Sequence, residues 1–301
     1  MWLDMPSVRV SFARLHKSIA HSYGRMWRDG WVERLSQGIA LVSIIALVAF
    51  VSGCATNYYP MKGDSRPHPG VARAHTLPIH GIDVSRHQGE IDWQAVARAG
   101  TRFAFIKATD GGDYLDPLFQ QNWRLSREAG IPRAAYHFMY WCRPADEQVA
   151  WFAANVPPDP DALPPVLDLE WNNGSQCRPT LSRDEVLEKV RIMLAGMEAH
   201  TGKVPIIYTD INFHRDILEG VQLDNPMWLR SVAAEPRERY RDRPFTFWQY
   251  TQTGTVPGVR GDVDRNAWYG SEAEWIQFFL TGCDPRSFQR LAAQGRCAAS
   301  R

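Results

Sequence analysis

The chain has 301 residues and a formal net charge of +1, with 45% apolar and 22% charged residues. That composition describes a globular protein able to build a sizeable core, and the near-zero charge argues against nucleic acid as a partner. Aromatic residues are abundant, 12 Trp, 10 Tyr and 13 Phe; such rings suit stacking on flat ligands such as sugars, but most of them are expected in the core.

In chain order, residues 38–50 read GIALVSIIALVAF, an uncharged run with Arg28 and Arg34 before it and Val51-Ser52-Gly53-Cys54 after it. The run is shorter than the ~20 apolar residues of a membrane span and fits the apolar region of a secretory signal. Val-Ser-Gly-Cys resembles a bacterial lipobox, in which Cys54 takes the lipid and becomes the mature N-terminus. Residues 1–54 are therefore expected as a signal and lipoprotein segment that anchors the protein to a membrane of the bacterial cell envelope. A short N-terminal membrane anchor with an incidental Cys54 is the alternative. Residues 1–25 overextend a signal, and Met26 is a more ordinary start; Ala55 after the cysteine points toward the outer membrane. Residues 55–77 are polar, with Pro, Gly and Arg, and read as a flexible linker.

Of the five cysteines, Cys142, Cys177, Cys283 and Cys297 remain once Cys54 is set aside. An even number in an exported chain suggests two disulfides. Cys142–Cys177 with Cys283–Cys297 is the favoured pairing among three connectivities, and two free buried thiols are the alternative. The spacings match no zinc motif, and neither a metal nor a cofactor is expected.

From Pro78 strand and helix alternate. Ile79–Val84 is a first strand, and Trp93–Ala99 a helix closed by Gly100. Phe103–Ala108 is a second strand, and Asp116-Pro117 opens a helix with Asp as N-cap. Arg133–Phe138 is a third strand, followed by a helix near Asp146–Ala154. Pro165–Glu170 is a fourth strand, and Ser182 with Glu185 forms a capping box for a long helix to His200. Pro205–Thr209 is a fifth strand, with a short helix near Asn212–Leu218. Met227–Ser231, Phe245–Tyr250 and Asp262–Arg265 complete the series. Eight strands with about five helices predict an α/β fold over 78–272, an incomplete TIM-like β/α barrel of parallel units. Residues 273–301 are expected as a tail holding the second cysteine pair. An open doubly wound sheet is the alternative, but its glycine-rich phosphate loop is missing where Ser85-Arg86-His87-Gln88-Gly89 follows the first strand.

Acids fall at strand ends: Asp83 on the first strand, Asp168 and Glu170 on the fourth, Asp264 in the eighth. In a parallel barrel such ends gather at one mouth. Asp168 and Glu170 share a face, their Cα atoms about 6.5 Å apart. Crowded carboxylates repel, so one holds its proton to higher pH, and a protonated carboxyl beside an ionised one is what glycoside hydrolysis requires. A single acid at a strand end is more commonly a cap or an ion-pair partner, so the pattern gains weight only from its company.

That company is found in a series of motifs. Gly81-Ile82-Asp83-Val84-Ser85, Gln88-Gly89 and Ile91-Asp92-Trp93 resemble the opening of glycoside hydrolase family 25, the Chalaropsis-type lysozymes. Phe105-Ile106-Lys107-Ala108-Thr109, Ala135-Tyr136-His137-Phe138, Leu167-Asp168-Leu169-Glu170, Pro205-Ile206-Ile207-Tyr208-Thr209, Trp228-Leu229, Phe247-Trp248-Gln249-Tyr250 and Val263-Asp264-Arg265-Asn266 resemble its later strands, all in order. The resemblance implies an N-acetylmuramidase acting on peptidoglycan glycan strands; a monomer is expected. It implies Glu170 as general acid and Asp168 as the group that stabilises positive charge or orients the substrate's acetamide. Asp83 and Asp264 would tune that pair, and Tyr136, Tyr208, Trp248 and Gln249 would contact sugar. His87 stands where the family often has Trp, at the rim of the substrate site. Loops 141–144 and 172–179 would border the mouth. A barrel that binds peptidoglycan without cleaving it is the competing expectation.

Overall fold

The computed structural model describes residues 65–297 apart from positions 67, 174, 178 and 242. The expected signal segment, Cys54 and the linker as far as residue 64 lie outside the described residues.

Nine strands form one sheet: β1 (His80–Val84), β2 (Phe103–Asp110), β3 (Tyr114–Leu115), β4 (Arg133–Phe138), β5 (Val166–Leu169), β6 (Ile206–Thr209), β7 (Met227–Arg230), β8 (Phe247–Gly254) and β9 (Val263–Trp268). Their order is β1-β9-β8-β7-β6-β5-β4-β2-β3, and β1 also pairs with β2, which closes the sheet into a barrel. β3 is a two-residue antiparallel addition to the end of β2, so the other eight make the wall. From β1 through β2 and β4 to β8 neighbours run parallel. β9 runs antiparallel to both β8 and β1. The barrel is therefore mixed, where a fully parallel one was expected.

The helices are α1 (Trp93–Arg98), α2 (Phe119–Glu128), α3 (Ala145–Asn155), α4 (Arg183–Thr201), α5 (Ile211–Phe213, continued by a π turn to Leu218), α6 (Pro236–Arg239), α7 (Glu272–Thr281) and α8 (Phe288–Ala293). The Ser182–Glu185 capping box starts α4 as expected, and Gly202, left-handed at φ 70°, ends it. Asp116 does not cap α2, which begins two residues later than expected behind Leu118. Its buried carboxylate instead accepts the N–H groups of Leu118 and Arg86, tying the loop after β1 to the start of that helix. Both disulfides, Cys142–Cys177 and Cys283–Cys297, are present in the favoured pairing.

Strand alternation sorts the core into two layers. Ile82, Val84, Ala104, Ile106, Leu167, Leu169, Ile207 and Leu229 face outward beneath the helices. Phe103, Phe105, Val166, Ile206, Phe247 and Trp268 fill the barrel, with Phe105 and Trp228 in ring contact at 4.3 Å. The abundant aromatics are thus largely core filling, divided between the two layers. The segment expected as a tail folds against this interior: Trp275 and Phe278 of α7 join the same cluster and form its floor.

The opening motif has a packing reason as well. Gly81 lies in register with Phe103 on β2, and a Cβ there would overlap both the ring and the carbonyl of Phe103. Gly81→Ala is expected to destabilise the protein by about 1–3 kcal/mol, the usual cost of overpacking a filled core. Urea unfolding checks this, and an unchanged midpoint would contradict it.

Candidate active site

At the C-terminal ends of the parallel strands, inward positions change from apolar to polar. β1 contributes Asp83, β2 Lys107, β4 Tyr136, β6 Tyr208, and β7 Trp228 and Arg230; β8 contributes Gln249. Asp168 comes from β5, with Glu170 immediately after it. Asp264 joins them from the first turn of β9. It reaches the mouth because β9 is antiparallel: its beginning lies level with its neighbours' ends, and Asp264 pairs in register with Asp83. The acids were expected together on the strength of parallel strands; for Asp264 the opposite direction is what achieves it. These groups line an open cleft of about 350 Å³.

A hydrogen-bonded chain fixes the floor of the cleft. The Tyr208 hydroxyl donates to Gln249 Oε1 at 2.9 Å. Gln249 Nε2 donates to Asp83 Oδ2 at 2.9 Å, and Asn266 Nδ2 donates to the same oxygen at 2.8 Å. Trp228 Nε1 donates to Asn266 Oδ1 at 2.8 Å. Five strands are linked through one carboxylate, so Asp83 has little freedom. Asp168 differs: it is 7% exposed, and its Oδ1 is buried with no hydrogen-bond partner in the apoprotein.

Burial raises all four carboxyl pKa values, since a low-dielectric site disfavours the charged form. Asp264 is pushed up to about 9, by burial first and then by the negative charge of Asp83 and a hydrogen bond to it. Asp83 is raised by burial, against which the Asn266 and Gln249 hydrogen bonds work. Asp168 is raised well above the carboxylate range by burial and by Glu170. Glu170 is pushed up to about 7, by burial and then by the charge of Asp210, with Arg230 working against both. The hydroxyls of Tyr136 and Tyr208 are raised too, by burial and by these acids, so they remain donors.

Among the expected contact residues, Tyr136, Tyr208, Gln249 and the exposed His87 do line the cleft. Trp248 does not. It lies next to Gln249 on β8, so the strand points it the other way; it is fully buried in the outer layer, where Nε1 donates to Ser231 O at 2.7 Å. Trp228 supplies the cleft's tryptophan instead. Asn266, two after Asp264, was missed, although a period of two from an assigned residue marks it; Arg230, two residues after Trp228 on β7, was missed together with Trp228, since no residue of that strand was assigned. Asp210 was missed as well. It is the N-cap of α5, accepting the Phe213 N–H at 2.8 Å, and it acts on Glu170 through its charge. Loop 141–144 adds a backbone restraint: buried Trp141 donates Nε1 to Glu170 O at 2.7 Å and stacks on Phe213.

Comparison with known proteins agrees with this geometry. The family model described as "Glycosyl hydrolases family 25" matches residues 82–259. The chain is 40% identical over 215 residues to the uncharacterized protein YegX of Escherichia coli (strain K12), covering 68% of this chain and 74% of that protein. It is 37% identical over 218 residues to lysozyme M1 of Streptomyces globisporus, covering 68% and 73%. The solved structure of a family 25 glycosyl hydrolase from Bacillus anthracis matches with a TM-score of 0.64 and 32% identity, covering 71% of this chain and 97% of that one. The chain belongs to glycosyl hydrolase family 25.

Proposed function

We propose that the protein is a muramidase that hydrolyses the β-1,4 bond between N-acetylmuramic acid and N-acetylglucosamine in peptidoglycan. The observation that carries this reading is the placing of Glu170 at the mouth of the cleft beside a second, buried carboxyl, Asp168, where burial pushes the Glu170 pKa up to about 7. Glu170 gives that proton to the glycosidic oxygen as the bond to C1 breaks. The positive charge that develops on the oxocarbenium-like centre beside Asp168 favours the ionised form of that carboxyl, which burial and Glu170 disfavour in the empty site, and water completes the hydrolysis. The unpartnered Oδ1 of Asp168 suits an acetamide N–H, which favours Asp168 orienting the sugar's N-acetyl group for internal attack. Asp264, protonated at neutral pH, lets the Asp83–Asp264 pair carry one negative charge instead of two. Tyr136, Tyr208, Trp228 and Gln249 supply the polar and flat surfaces around the sugar.

Glu170→Gln keeps the shape of the side chain and loses the transferable proton. It is expected to lower kcat by about 10²–10⁴-fold, read as new reducing ends on purified peptidoglycan, with wild-type products ending in reducing N-acetylmuramic acid. Binding by the wild type without new reducing ends would favour a non-catalytic barrel.

The raised pKa also has a stability consequence. Between the ordinary value of 4.5 and about 7 the folded protein binds the Glu170 proton more tightly than the unfolded chain does. Stability therefore falls as pH rises through that window. Glu170→Gln removes this dependence, so the variant is expected to melt above wild type at pH 8 and to differ least at pH 4. The rate of the wild type falls over the same rise in pH as the acid ionises. Thermal melts at both pH values check the sign, and a variant less stable at pH 8 than at pH 4, relative to wild type, would contradict it.

We assign the protein to the bacterial cell envelope, held to a membrane by lipid on Cys54; the support is the uncharged run 38–50 followed by Val51-Ser52-Gly53-Cys54. Cys54→Ala is expected to abolish incorporation of a labelled fatty acid and to release the protein from membranes. Unchanged labelling would remove the lipid from the assignment.

A further inference from the structure

A second cleft, of about 480 Å³, opens beside the catalytic one and shares Ser85, His87 and Lys107 with it. Both of its walls are held in place from behind. On one side the loop between β4 and α3 carries Tyr140 and Arg143. The buried side chain of Gln148 accepts the Tyr140 N–H and donates to the carbonyls of Tyr140 and Arg143. Asn172 accepts the Trp141 N–H and donates to Met139 O. Lys189 donates to Arg143 O at 2.8 Å, and the Cys142–Cys177 disulfide ties the loop to the segment after β5. On the other side the β2–β3 hairpin is fixed by strand pairing and by Trp151 Nε1, which donates to Tyr114 O at 2.9 Å.

The lining differs in chemistry from the catalytic cleft, where carboxyls dominate. Charges of both signs alternate here: Lys107 with Asp110 at 2.9 Å, and Arg143 with Asp113 at 3.1 Å. Arg86 is exposed, lies with its guanidinium 5.6 Å from the centre of the Tyr114 ring, and is in no ion pair among the described residues. Tyr114 and Tyr140 present partly exposed rings on the two walls. Sugar hydroxyls and acetamides are neutral and offer the exposed guanidinium of Arg86 no opposite charge. A short peptide bearing carboxylates offers one, and peptidoglycan carries such peptides as branches on its muramic acid.

The geometry points to the second cleft as the binding site for the peptide branch of the wall strand, with Arg86 taking one of its carboxylates between the rings of Tyr114 and Tyr140. This rests on the muramidase reading, which puts muramic acid in the adjoining cleft. The cleft makes peptide-bearing glycan the preferred substrate over bare glycan.

The test uses the full chain and two soluble substrates: uncrosslinked peptidoglycan strands, and the same strands after an amidase has stripped their peptides. Wild type is expected to show the lower KM on peptide-bearing strands. Arg86→Ala raises that KM by about three- to fivefold, the scale of one exposed charge contact, and leaves kcat and the KM on stripped strands unchanged; Arg86→Lys recovers part of the loss. Equal wild-type KM values on the two substrates would overturn the assignment. So would an Arg86→Ala effect of the same size on both, which would mean that the cleft holds glycan. Wild type that cleaves neither substrate overturns the muramidase reading, and this one with it.

Discussion

Asp83 and Asp264 face one another because β9 runs against its neighbours and closes the sheet onto β1, and the rest of the mouth is arranged around that contact. Once closed, the barrel brings carboxyls from three strands into a space that water reaches from one side only. Arg230 and Lys107 are the cations among its lining residues, too few to balance four ionised acids, so the site retains protons. The hydrogen bonds from Gln249 and Asn266 favour the ionised form of Asp83, which leaves Asp264 as the member of the pair that stays protonated. Glu170 has no carboxylate hydrogen-bonded to it as Asp264 has, and a hydrogen bond from Tyr208 favours its ionised form, so its proton is held to about pH 7, not beyond. An acid with that value is both protonated and willing to donate at neutral pH.

The scaffold separates stability from chemistry by strand parity. On each strand one set of side chains packs under the helices and the other enters the barrel, where a lower, aromatic half floored by α7 supports an upper, polar half. Phe105 and Phe247 sit directly below Lys107 and Gln249 on the same faces of β2 and β8. The catalytic groups therefore stand on rigid strands over a filled core, and few of them depend on loops. Where loops do contribute, as in Tyr140 to Arg143, side chains and a disulfide brace them from behind.

Most of this arrangement could be read in the residues. The strand positions, the long capped helix α4 and the convergence of Asp83, Asp168, Glu170 and Asp264 follow from apolar runs ending in acids. The direction of β9 was misread, although a signal existed: residues 251–261, between the two expected strands, fall short of the dozen or more that a parallel crossover needs. Trp248 was misplaced for a similar reason. Neighbouring residues of a strand face opposite ways, so Gln249 in the cleft excludes Trp248 from it. Asp210 carried no signal of its own, since an N-cap aspartate looks the same whether or not its charge reaches a catalytic acid. The second cleft was invisible because its walls come from a two-residue strand and a loop whose meeting depends on barrel closure.

The proton on Glu170 is the quantity on which the chemistry turns. Carbon-13 NMR of the side-chain carboxyls, with Glu170 assigned by its loss in Glu170→Gln, measures its titration directly. A midpoint near 7 is predicted. A midpoint near the 4.5 of an ordinary glutamate would mean that the carboxyl is ionised at neutral pH and has no proton to give to a departing sugar.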